Sequence, residues 1–530
     1  MPKIALSFRR TAALALATQL FAATAFSAGF EVPGNSAGGI GRGMAWTSGV
    51  DDGTALSFNP GALTRQKGLN VTYQHQLLWD NVSFTRGKSA VTQDDIAGTQ
   101  ASEALQKSSN QSALFPLGAM LVASHDFGLR DWVFAIGGYG PSSSGYKEFN
   151  TQGGQRYMLT KLDALMAYLS VSAAYGKDDK FGVGATLQWA SMPKTNMSLV
   201  IDASTGSQQS PYYGPNDVVA TIRLKDTSGS FSAILGGWWR PIKNLELAAS
   251  GRIIPVNFHA TGDVVMDNDK AGAGAQFGSR ELSITDSKAA LDMKLAPTAS
   301  FAVRYLHLNP AGKTTWDVEA DAVWEGWRVL NDFTVQTSGQ INLFSAQNMP
   351  TVSIPKRWQD TWSVRLGGTA EVAENLRVSA GGLWEQGAAP LNYSNLDFPS
   401  FDRYGFGLGA RYQHGNLLAS LGYSHIFQES RTITEQYGKV DTQRPLLPCP
   451  AGCAGNSAIP ANTGTFDGGY DLVSWTIGYR FGGPATPSPA TTSPAVVPAA
   501  IPASLPDPVA LPDPVALPAP VTAPVAAPAP

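Results

Sequence analysis

No stretch after residue 28 is apolar for long enough to cross a bilayer as a helix, which takes about 20 residues. Strand-length segments along the chain nevertheless carry one face suited to lipid. Successive side chains of a strand point to opposite sides. Near the end of the patterned region, Val473, Trp475, Ile477, Tyr479 and Phe481 therefore share one face, and Ser474, Thr476, Gly478 and Arg480 share the other. Farther back, Trp316, Val318, Ala320, Ala322 and Trp324 are opposed by Asp317, Glu319 and Asp321, carboxylates that a lipid face would not tolerate. A membrane protein without spanning helices must satisfy its backbone groups between strands, so the alternation implies a closed barrel. A soluble β-sandwich also alternates, but its apolar face points inward and its strands run to about 5 to 6 residues.

The same pattern recurs at Trp362, Val364 and Leu366 with Arg365 between them, and at Tyr404, Phe406, Leu408, Ala410 and Tyr412 opposed by Gly405, Gly407, Gly409 and Arg411. Aromatic residues at the ends of these faces are placed as interface girdles. Strands are predicted near 68–85, 112–125, 131–149, 162–176, 180–200, 217–240, 243–262, 290–308, 313–330, 357–371, 375–389, 403–414, 416–432 and 470–481. That is about fourteen, an even number as bacterial barrels require. With both ends of the wall in the periplasm, the long polar gaps at 86–111, 201–216, 263–289, 331–356 and 433–469 fall outside. The turns at the other end, such as Gly176 to Asp179 and Pro241 to Asn244, are short. The fold class expected is all-β, a transmembrane antiparallel barrel of about fourteen strands in the outer membrane.

Lys3, Arg9 and Arg10 precede an apolar core from Ala12 to Phe26 and a small-residue site at Ala25-Phe26-Ser27, so residues 1–27 read as a secretory leader cleaved before Ala28. Charged residues make up 15% of the chain, against about 25% in an ordinary soluble protein. The net charge of −3, with basic residues scattered among the strands, argues against a nucleic-acid partner. Cys449 and Cys453 stand in Cys-Pro-Ala-Gly-Cys, which in an exported protein reads as a small loop disulfide. A two-thiol metal site and a redox motif fit this spacing less well. His75, His125, His259, His307, His414 and His425 come with no nucleophile elbow and no metal-spaced pair, so an outer-membrane barrel enzyme is the weaker alternative and no cofactor or metal is expected.

Between the leader and the first strand, Ala28 to Leu63 has no sustained period of 2 or 3.6 and is rich in Gly, Ser and Asn. It reads as an internal plug. Phe58-Asn59-Pro60-Gly61 turns the chain back, because Asn before Pro is pushed out of the helical region. Ala28-Gly29-Phe30, Gly39-Ile40-Gly41-Arg42, Asp51-Asp52-Gly53 and Asn59-Pro60-Gly61 follow one another here. This ordered set resembles the N-terminal hatch of the FadL family, outer-membrane channels that import long-chain fatty acids and, in relatives, aromatic hydrocarbons. Gly61 stands where the family more often has Ala. Leu295-Ala296-Pro297, Trp324-Glu325-Gly326-Trp327 and Asp397-Phe398-Pro399 to Asp402-Arg403-Tyr404 extend the resemblance to residue 481.

The resemblance implies a hatch over 28–63 that plugs a barrel over 64–481, with Phe58, Asn59, Pro60 and Gly61 as the moving element. In the third strand, Gly137-Gly138-Tyr139-Gly140-Pro141 should bulge or kink, since Pro removes a ladder donor and glycines weaken pairing. That is either a bend that ends pairing or, as the resemblance implies, a lateral opening from lumen to membrane. An outer cleft is expected from Tyr212, Tyr213, Val264, Val265, Met266 and Phe277, and Lys194, Arg223, Arg252 or Arg365 as the cation for a carboxylate head group. The partners implied are hydrophobic small molecules such as long-chain fatty acids, outer-membrane lipid and lipopolysaccharide, and the barrel-assembly machinery acting at Phe481. Residues 482–530 are Pro- and Ala-rich with Leu505-Pro506-Asp507-Pro508-Val509-Ala510 repeated at Leu511 to Ala516, an extended tail reaching toward peptidoglycan or a periplasmic partner. An aromatic-hydrocarbon channel and a structural or adhesin barrel remain as alternative functions.

Overall fold

The computed structural model describes residues 29, 35–87, 106–112, 114–140, 145–177, 179–202, 217–267, 282–342, 346–443 and 460–482. Among them, hydrogen-bonded segments join end to end into fourteen antiparallel staves. These are β1 (Leu69–Asp80 and Ser83–Arg86), β2 (Ser108–Ser109 and Leu114–His125), β3 (Trp132–Tyr139 and Tyr146–Glu148), β4 (Lys161–Lys177) and β5 (Phe181–Asp202). They continue as β6 (Asp217–Ser228 and Ser230–Ile242), β7 (Leu245–Ile254 and Val256–Asp267), β8 (Ser283–Leu295 and Thr298–Leu308) and β9 (Thr314–Glu325 and Asp332–Asn342). The last five are β10 (Ala346–Asn348, Val352–Pro355 and Thr361–Ala373), β11 (Leu376–Glu385), β12 (Arg403–His414), β13 (Leu417–Ile433) and β14 (Gly464–Phe481). The cylinder closes where β14 pairs with β1, from Leu69 opposite Phe481 to Asp80 opposite Tyr470. Closure at this seam leaves neither the first nor the last stave with a free edge for lipid to meet.

Burial follows the alternation in the sequence. On β14, Ile477, Tyr479 and Phe481 are exposed while Ser474 and Thr476 are buried. On β9 the three carboxylates Asp317, Glu319 and Asp321 are buried and Trp316 and Val318 face out. The apolar side chains of the lumen join Val50, Leu56 and Leu63 from the N-terminal segment to Phe84, Tyr168, Phe258 and Phe401. The outer face is apolar because lipid is its solvent, and the inner face is mixed because protein fills it.

The short turns lie at the end where β1 begins and β14 finishes, and the long connections at the other end. Two of the gaps expected there are partly wall. Val256–Asp267 and Ser283–Leu295 carry β7 and β8 into 263–289, and Asp332–Asn342 with Val352–Pro355 fills much of 331–356. These extensions read as loops because their outward face is polar while Val264, Phe333, Val335 and Ile341 turn inward, the reverse of the lipid-facing pattern. Cys449, Cys453 and the Pro-rich tail lie outside the described residues.

Candidate functional site

The N-terminal segment enters the cylinder and is fixed there by charge on one side. Ser36 caps the helical turn α1 (Ala37–Gly41), its hydroxyl accepting from the Gly39 amide at 3.3 Å. The next residue, Arg42, is 1% exposed. Its guanidinium donates to Asp317 at 2.6 Å, to Glu319 at 2.9 Å and to the Thr369 hydroxyl at 2.6 Å, while its Nε donates to the Ala45 carbonyl at 2.9 Å. The amides of Trp46 and Thr47 both donate to Asp321 at 3.1 Å, and the Ser48 amide donates to Glu319 at 2.6 Å. The acid row of β9 thus finds its partners in residues 42–48. Arg65 closes the loop by donating to the carbonyls of Ser48 and Val50 and to Glu246 of β7.

Close backbone approach holds the segment elsewhere. A Cβ placed on Gly407 would stand 1.9 Å from the Ile40 carbonyl oxygen, and one on Gly381 or Gly367 would stand 2.1 Å from that of Arg42. The alternating glycines of β12 and their neighbours therefore form the bed of α1. A second bed receives the Asn-Pro turn. Asn59 is extended, at φ −155° and ψ 93°, between the helical turn Ala55–Phe58 and the 3-10 turn Pro60–Arg65. Its Nδ2 donates to the carbonyls of Thr47 at 2.9 Å and Gly237 at 3.2 Å, and its Oδ1 accepts from Gly61. A side chain at 61 would put Cβ 2.7 Å from both the Gly182 carbonyl oxygen and Gly237 Cα, which accounts for glycine there.

Opposite this anchorage the wall is interrupted. The ladder between β2 and β3 runs from His125 opposite Phe134 to Met120 opposite Tyr139 and stops. The next tie is the Gln111 amide donating to the Glu148 carbonyl at 2.7 Å. Between β3 and β4 the register runs to Tyr139 opposite Tyr168 and resumes at Tyr146 opposite Asp163. A groove of about 490 Å³ lies at the edge of this break. Ile136, Leu169, Leu187 and Trp189 line it from the lipid side, and Tyr139 and Tyr168 from the lumenal side. The N-terminal segment reaches the break from within. Asn35 donates to the Gly140 carbonyl at 2.8 Å, and a Cβ on Gly137 would lie 3.4 Å from Leu56 Cδ1.

The remaining residues singled out in the sequence are dispersed. Phe58 is half-buried and packs between two apolar clusters. Met266 is half-buried against the lumenal core, whereas Tyr212, Tyr213, Phe277 and Pro141 lie outside the described residues. Lys194 is exposed and paired with Asp163 at 2.5 Å, and Arg223 is exposed on β6. Arg252 lies over the Tyr168 ring, its Cζ 5.8 Å from the centroid. Arg365 faces inward opposite Asp321. A cation that the sequence did not draw attention to is Lys147, buried just beyond the break. Its ammonium lies 3.6 Å from Asp80 and donates to the Asp397 carbonyl at 3.1 Å. The outward signal at Lys147 was only a lysine between Tyr and Glu, with no alternation to mark its face.

The sequence matches the family model described as outer membrane protein transport protein (OMPP1/FadL/TodX) over residues 18–459. The chain belongs to this family. Its members are outer-membrane proteins with a transport fold for hydrophobic compounds. Among solved structures, a FadL homologue of Pseudomonas aeruginosa is similar with a TM-score of 0.66 at 17% identity, covering 86% of this chain and 100% of that one. The Ralstonia pickettii toluene transporter TbuX has a TM-score of 0.55 at 12% identity over 86% of this chain and 99% of its own. The Pseudomonas putida toluene transporter TodX has 0.55 at 12% identity over 83% and 98%. Likeness at these identities concerns the barrel fold. No curated protein sequence matches the chain.

Proposed function

We propose that this FadL/TodX-family barrel carries hydrophobic molecules, long-chain fatty acids foremost, from the outer face of the outer membrane into the bilayer through the break beside β3. Residues 28–63 act as a hatch in this reading. The observation that carries it is the interrupted ladder at Tyr139 and Gly140, met from the lumen by Asn35 and Leu56 of the same N-terminal segment that Arg42 anchors. A hatch residue bonded to the carbonyl at the break supplies a physical link between hatch position and opening.

The chemistry favours a sideways route. An apolar chain loses about 0.8 kcal/mol for each CH₂ it exposes to water, so a path that ends in lipid keeps it covered where an axial bore would not. Transport is then passive and runs down the gradient. Lys147 beyond the break is the nearest buried cation for a carboxylate head group, which would take the place of Asp80 beside its ammonium. The second reading is a monoaromatic substrate, which the toluene transporters among the structural neighbours suggest.

The test is uptake of radiolabelled oleate and toluene by cells with and without the gene, alongside a form lacking residues 35–63. Oleate uptake should depend on the gene and lose selectivity when the segment is removed. Toluene uptake alone would select the second reading. Selective uptake unchanged by the deletion would refute the hatch.

A further inference from the structure

The lipid-facing wall carries a dent away from the break. It is a cavity of about 890 Å³ across β5 to β10, on the outside of the barrel. Small residues, Ala249, Ala320 and Ala322, form its floor, and Trp239, Phe301 and Val364 rise around it. The dent starts at Phe181 and Trp239, next to the short turns, and runs toward mid-wall at Val364.

Its lower rim is basic. The Arg240 amide donates to the Lys180 carbonyl at 2.7 Å, which sets the β4–β5 and β6–β7 turns side by side. Lys177, Lys180 and Lys243 are exposed there. Of the two acids in the turn, Asp178 and Asp179, the second is engaged by Arg240 at 2.6 Å. Ammonium groups at the water boundary beneath an apolar dent match a molecule with a phosphate above its acyl chains.

We propose that the dent holds one anionic glycerophospholipid of the leaflet at the short-turn end, its acyl chains against Trp239 and Phe301 and its phosphate between Lys180 and Lys243. The charge pattern selects this occupant over a second copy of the chain. Two copies in the same membrane, related by a two-fold axis along the normal, would bring the same lysines face to face.

The detergent-purified full-length protein is to be titrated with phosphatidylglycerol and, separately, phosphatidylcholine, and the bound lipids counted by native mass spectrometry. One phosphatidylglycerol should bind in preference to phosphatidylcholine. Lys180→Gln with Lys243→Gln should weaken phosphatidylglycerol binding about thirtyfold, as two interfacial lysines imply. Ala249→Trp should remove binding of both lipids by filling the floor. All three positions face outward, so folding is checked by heat-modifiable gel mobility and oleate uptake should be unchanged. Equal binding of the two lipids, or phosphatidylglycerol binding that survives either variant, overturns the proposal. A wild-type dimer that Ala249→Trp dissociates overturns it in favour of a second copy.

Discussion

The wall at β12 and β13 and the wall at β2 to β4 face the same N-terminal segment with opposite construction. The first pairs without a shift from Arg403 opposite Gln428 to His414 opposite Leu417, and its glycines let α1 lie directly on the backbone. The second loses its ladder at Tyr139; beside that break the segment meets it through the Asn35 side chain and the tip of Leu56, and toward the short turns Thr64 packs against Gly176. Unbroken pairing goes with backbone laid on backbone, and the break with side-chain contacts. Beside the break the segment can shift by exchanging side-chain contacts, without lifting backbone from backbone.

Arg42 should give the largest disturbance. Arg42→Met removes the cation between Asp317 and Glu319 and leaves two buried carboxylates short of a partner, a loss of about 3–5 kcal/mol in seating. Planar-bilayer recordings should show a conductance absent from the wild type, and trypsin should cut at Arg65 faster. Next comes the glycine bed. Gly407→Val brings a side chain onto the Ile40 carbonyl and should cost about 1–3 kcal/mol of thermal stability. Gly138→Ala, beside the break with its ladder partner Leu169 as nearest neighbour at 3.4 Å, should stay within about 0.5 kcal/mol. Equal penalties at the two glycines would dissolve the contrast between the walls.

Much of this was legible in the chain. Period-2 alternation fixes which face of each stave meets lipid, and it placed Asp317, Glu319 and Asp321 inside before any coordinates. Their partner was not legible, since Arg42 stands 275 residues before Asp317 and spacing carries no sign of a pairing that only closure of the cylinder creates. Gly405, Gly407 and Gly409 were visible as a face without side chains. That the absent side chain of Gly407 makes room for the Ile40 carbonyl depends on how α1 lies. The outer extensions of β7 to β10 were hidden for a different reason. Above the membrane the outward face is wet and the apolar residues turn inward, so the alternation that marks a lipid-facing strand is absent there.

A smaller effect tests the broken side directly. Asn35→Ala deletes the bond to the Gly140 carbonyl, worth about 0.5–1.5 kcal/mol, and leaves the acid row and the glycine beds untouched. Melting temperature should move little. If the bond restrains the opening, the rate of oleate uptake should change while the conductance to small ions stays at the wild-type level. An altered ion conductance would mean that the whole segment had come loose, and would make the two walls equivalent as anchors.

The smallest effect concerns protons at the foot of the segment. Asp51 pairs with Arg411, which outweighs the cost of burial and holds its carboxyl below the ordinary value of 3.8. Asp52, next to it, is pushed above that value by burial and by the charge of Asp51, although Thr54 donates to it from both amide and hydroxyl. A carboxyl raised in the seated state stabilises seating fully below pH 3.8 and loses that contribution as pH climbs through the seated value. Asp51 acts in reverse, adding stability above pH 3.8 and losing it as pH falls through its depressed value. Asp52→Asn keeps an acceptor for Thr54 and removes the charge, so it should raise the melting temperature at neutral pH by less than the other changes move it, and erase the gain on mild acidification. A variant that still gains stability as pH is lowered from neutral toward 3.8 would assign that titration to another group and leave Asp52 as a turn former only.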